Sequence, residues 1–122
     1  MALLPVGRAL SLACLLTPLL GACVAHGESS SGRASALATT VSRAIACRAG
    51  SPQRTTLDRF LAAEKARGAD DQQIAAARSA YIGVSEAEAI NQGVRPQACT
   101  AEERAELKQR MGRIRAGDFE TL

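Results

Sequence analysis

The chain of 122 residues is poor in aromatic side chains, with no Trp, one Tyr and two Phe. A core without them must be built from Ala, Leu, Ile and Val. β-Sandwiches draw on alternating β-branched and aromatic residues, which this sequence replaces with runs of Ala, so a β-sandwich is disfavoured. Histidine is nearly absent too. The single His26 precedes every helical pattern, which leaves a Ser-His or Cys-His nucleophile pair without its base. No Gly-rich phosphate loop, EF-hand pattern or dinucleotide fingerprint occurs. Nor is any apolar run as long as the ~20 residues of a membrane-spanning helix.

The longest apolar run is Ala9 to Leu20 (ALSLACLLTPLL), and Arg8 stands before it. A short basic start followed by an apolar stretch of this length reads as an export signal over residues 1–22, to be set apart from the fold. A transmembrane anchor is the competing reading, but the run is too short and Pro18 interrupts it. Directly after it comes Leu20-Gly21-Ala22-Cys23. This motif resembles the lipobox of bacterial lipoproteins, in which a dedicated peptidase cuts before the cysteine. The resemblance implies that Cys23 becomes the acylated N-terminus, a lipid anchor facing the periplasm. Val24 follows it instead of the Asp that retains such lipoproteins at the inner membrane in the best-known species, so the outer membrane is favoured. Cleavage after Ala22 or Ala25 to give a soluble periplasmic protein is the alternative.

Of the four cysteines, Cys14 leaves with the signal and Cys23 is taken by the acyl chain or by cleavage. Cys47 and Cys99 remain, 52 residues apart. In an oxidising compartment an even pair is expected to form a disulfide. No CxxC is present and no His lies near either thiol, which argues against a redox or zinc site. No metal or other cofactor is expected.

Residues 23–33 comprise the lipidated cysteine and a flexible tether rich in Ser and Gly, and residues 34–122 form a helical domain. A first helix is expected over about Ala34 to Arg48, with Leu37, Val41, Ala44 and Ile45 on its apolar stripe and Gly50 as its stop. Ser51 and Pro52 open a second, whose stripe is Leu57, Phe60, Leu61 and Glu64 and whose stop is Gly68. The third runs from about Asp70 to Ile82, with Tyr81 and Ile82 in the core. Ser85 and Glu88 make a capping-box pattern for a short extra helix that ends at Asn91-Gln92-Gly93, and Thr100 with Glu103 makes another for the last helix, which ends at Gly117. The expected fold is thus an all-α bundle of four to five helices. A bond between Cys47 and Cys99 would clamp its first helix to its last.

Carboxylate pairs occur at Asp70/Asp71, Glu86/Glu88 and Glu102/Glu103, each in the first turn of an expected helix, where acids complement the helix dipole. They are read as helix starts, and no catalytic residue is assigned. Arg104, Lys108, Arg110, Arg113 and Arg115 make the last helix basic. Removing Arg8 from the 15 basic residues leaves 14 against 12 acidic, too even a balance to draw nucleic acid, and an exported chain does not meet it. A solvated face is the plain reading, with a lipid headgroup or acidic partner as the functional one.

These features point to a small cell-envelope lipoprotein, not an enzyme, that acts as an interaction or accessory module. Its expected partners are the membrane, through the acyl anchor, and an envelope protein. A second reading comes from the segment QACTAEERAELKQRMGRIRAG, beginning at Gln97. It resembles the C-terminal part of the small periplasmic acid-stress chaperones, where a disulfide cysteine followed by Thr opens a last helix. That likeness implies a holdase that loosens at low pH.

Overall fold

A computed structural model of the protein describes residues 29–122, so the expected export signal, the lipobox-like motif and Cys23 lie outside the described residues. Four helices make up the described chain: α1 (Ser30–Ala46), α2 (Thr56–Ala66), α3 (Asp71–Val94) and α4 (Ala101–Ala116). No strand occurs among the described residues. The all-α bundle read from the sequence is the observed architecture, with four helices and the Cys47–Cys99 disulfide.

Pairings between helices set the topology. Asp58 meets Arg78 and Lys65 meets Asp71, so α2 and α3 form an antiparallel hairpin. Glu64 near the end of α2 touches Ser30 and Arg33 at the start of α1, which puts the beginnings of α1 and α3 at the same end of the bundle. α4 runs against α1, because Arg43 reaches Glu103 at one end while Arg33 reaches the Phe119 carbonyl at the other. Ala34, Leu37, Ala38, Val41 and Ala44 are all buried along α1, and α3 is the helix it packs against most. Around this contact close Phe60 and Leu61 of α2 and Leu107, Met111 and Ile114 of α4. The aromatic content is spent economically: Phe60 and Phe119 meet edge to face, with centroids 5.5 Å apart.

Several element boundaries differ from the sequence reading. α1 begins at Ser30 instead of Ala34, because the Ser29 hydroxyl accepts from the Gly32 N–H and caps it; the Ser-rich stretch assigned to the tether supplies the first turn. α1 ends before Gly50. Arg48 takes the left-handed conformation (φ 53°), and the Ala49 N–H closes on the Ala44 carbonyl. α2 opens at Thr56, not at Pro52, since the Thr56 hydroxyl accepts from the Gln53 N–H and the Ser51 carbonyl is taken by Arg115 of α4. The short extra helix does not exist as a separate element. Ser85, Glu88 and Gly93 all lie within the 24-residue α3, whose start is the capping box between Asp70 and Gln73.

Candidate functional site

A disulfide and an ion pair meet at one end of the bundle. Cys47 is buried just past α1, Cys99 is half-buried just before α4, and their Cα atoms stand 5.6 Å apart. A two-pronged ion pair lies beside the bond: Arg43 Nε and Nη2 donate to the two Glu103 carboxylate oxygens at 2.6 and 2.9 Å. The same guanidinium donates to the Ala98 carbonyl at 3.2 Å, so it holds both α4 and the strand of chain leading into it. Arg104 adds a bond to the Cys47 carbonyl at 3.0 Å. Glu103 is held below the usual carboxylate range chiefly by the hydrogen bond from Arg43; burial opposes this next, and the Arg43 charge, a Thr100 backbone N–H and the Arg104 charge add lesser pulls downward. Arg43 is raised in turn, chiefly by its hydrogen bond to Glu103.

Among the described residues, Cys47, Cys99 and Glu103 form the one group of possible metal ligands close enough to share an ion. The two sulfurs are bonded to each other and the carboxylate is committed to Arg43, so the group offers no thiolate to a cation.

A second polar cluster ties the opposite end. Glu64 is 2% exposed and accepts from Arg33 Nε at 2.7 Å and from the Ser30 hydroxyl at 2.9 Å. Arg33 also donates to the Phe119 carbonyl at 2.8 Å. The position of Glu64 on the apolar stripe of α2 is visible in sequence; its partner, placed in the expected tether, is not.

The remaining expected residues disperse. Asp70/Asp71 and Glu102/Glu103 do sit at helix starts, whereas Glu86/Glu88 lie in the middle of α3. Tyr81 is half-buried, and burial raises its hydroxyl pKa against the opposing bond with Ser85. Ile82 and Ile45, expected in the core, are 46% and 53% exposed. α3 is about 36 Å long against about 26 Å for α1, so its far end overhangs the bundle. Ile90 and Val94, on that overhang, are 66% and 73% exposed and lie one helical turn apart.

Comparisons with protein families, characterised proteins and solved structures give no match to this chain.

Proposed function

We propose that the protein is a small cell-envelope lipoprotein whose disulfide-clamped helical head serves as a non-enzymatic interaction module in the periplasm. The observation that carries this reading is the pairing of Cys47 with Cys99 in a bundle that starts only a few residues after the Leu20-Gly21-Ala22-Cys23 motif. A disulfide between the first and last helices suits an oxidising compartment, and a lipobox-like motif ahead of a folded head suits a tethered one. The anchor would be the Cys23 thiol, carrying a diacylglycerol. The outer membrane is the favoured site because Val24 follows the cysteine. The overhanging Ile90 and Val94 support the interaction part, since a helix apolar on two sides is ordinarily covered on both.

The test is intact-mass spectrometry of the protein from the envelope of a bacterial host that expresses it. The expected mass is that of a chain beginning at Cys23, increased by acyl groups and reduced by two hydrogens for the disulfide, and Cys23→Ser should move the protein to the soluble fraction. An unprocessed chain, or a Cys23→Ser chain distributed like the parent, refutes the reading.

The acid-stress holdase is the second reading, and one observation favours it. Glu103 of α4 holds Arg43 of α1, so its protonation would release that end of the bundle while leaving the arginine unopposed. Client-aggregation assays at pH 2 to 3 separate the readings, because a head that protects no client is not a holdase.

A further inference from the structure

Six cations gather on one side of the bundle without a carboxylate among them. Arg104, Lys108, Met111 and Arg115 follow one row of α4, at steps of four, three and four residues, and the row extends about 16 Å. The loop between α1 and α2 lies over that row. Arg104 binds the Cys47 carbonyl, Gly50 sits so close to Met111 that an added Cβ would come within 3.2 Å of it, and Arg115 Nη2 donates to the Ser51 carbonyl at 3.0 Å. Arg59 of α2 closes the far end, 2.9 Å from the Arg115 carbonyl. Arg48 and Arg54 stand on the loop itself, and all six cations are exposed.

The ion pairs among the described residues use Arg33, Arg43, Lys65, Arg67, Arg78 and Arg110, none of which belongs to this group. The acids of α4 face elsewhere. Glu102 and Glu106 stand two residues from Arg104, about 200° round the helix, and Glu103 is bound to Arg43. Asp58 of α2 is turned to Arg78. Like charges held this close repel one another, and an anionic surface laid across them removes that cost. Arg59, Arg104 and Arg115 each give only part of their five N–H groups to backbone carbonyls, which fixes the guanidinium and leaves the other donors for a ligand.

We infer that this row is a docking surface for a bilayer of anionic lipids. Its charges are spread along a line instead of converging on a point, which suits an array of phosphates more than one small anion. The inference rests on the lipoprotein reading for its choice of partner. Ser29, where the described chain begins, is within about 20 Å of Cys23 even at full extension. An acyl chain there would keep the row close to headgroups at high effective concentration, and an acyl anchor joined to a basic patch holds a protein to a membrane better than either alone.

The test takes the full chain carrying Cys23→Ser, so that no acyl group contributes, and measures cosedimentation with vesicles of phosphatidylcholine alone or mixed with phosphatidylglycerol. Binding is expected only to the mixed vesicles, and to weaken as salt rises. At about fivefold per cation, the triple variant Arg48→Gln, Arg54→Gln, Lys108→Gln should bind on the order of 100-fold more weakly. The side chains of these three make no hydrogen bond among the described residues, so its melting curve should match the parent's. A second triple variant, Lys65→Gln, Arg95→Gln, Arg113→Gln, removes equal charge from elsewhere and should lose much less. Equal loss in the two triples, or no binding by the parent chain, overturns the inference. Retention on soluble polyphosphate without vesicle binding overturns it in favour of an acidic polymer. Acylation is read separately, from the intact mass of the unsubstituted protein, so the two readings fail independently.

Discussion

Replacing both Cys47 and Cys99 with Ala should lower the melting temperature by many degrees. The bridge closes a loop of 52 residues, and the loop-closure entropy it removes from the unfolded chain is worth about 4 kcal/mol. For a domain of this size each kcal/mol moves the midpoint by roughly 4 to 8 °C, so the expected fall is roughly 15 to 30 °C. The native ends have other ties. Arg43–Glu103 and the bond from Arg104 to the Cys47 carbonyl still join α1 to α4 when the sulfurs are gone, so the helices are expected to keep their arrangement and the variant to unfold cooperatively at the lower midpoint. Far-UV circular dichroism melts of the oxidised parent, the reduced parent and the double variant test this. The last two should coincide. A fall smaller than about 5 °C, or a reduced parent that melts with the oxidised one, would show that the clamp does not restrain the unfolded chain.

Two further changes probe the ion pairs. Glu64→Ala leaves Arg33 with 12% of its side chain exposed and no carboxylate, and should cost about 3 kcal/mol in urea denaturation, whereas Arg33→Met with Glu64→Leu should cost less than that single change. The Glu103 pair predicts a pH dependence. Because its folded pKa lies below its unfolded value, its stabilisation is complete above the ordinary carboxylate range and is lost as pH falls through the lowered value. The stability difference between the parent and Glu103→Gln should therefore be present at neutral pH and close on acidification, and a gap that stays constant down to the acid limit contradicts the assignment.

Much of the fold was legible in local signals. Asp70 and Thr100 each accept from the backbone N–H three residues on, and Gly117 ends α4 in the left-handed conformation. Leu107, Met111 and Ile114 are buried as their spacing requires. The same kind of signal misled at Ser85, because a Ser followed three residues later by Glu caps a helix only where the chain before it is not already helical. Gly83 and Gly93 are within α3, where no left-handed turn calls for them. At Ser29 the error ran the other way: a Ser-Gly stretch has the composition of a linker, yet one hydroxyl accepting from Gly32 starts a helix.

Composition and periodicity alone determined that the chain would be helical and built on small side chains, since both depend on residue type and on neighbours within a turn or two. Which residues meet across the bundle was decided only in three dimensions. The burial of Glu64 against Arg33, the grip of Arg43 on Glu103 and the gathering of Arg48, Arg54 and Arg59 beside the α4 row all join positions far apart in the chain. The exposure of Ile90 and Val94 likewise depends on which face of α3 meets the other helices, which α3 does not encode by itself.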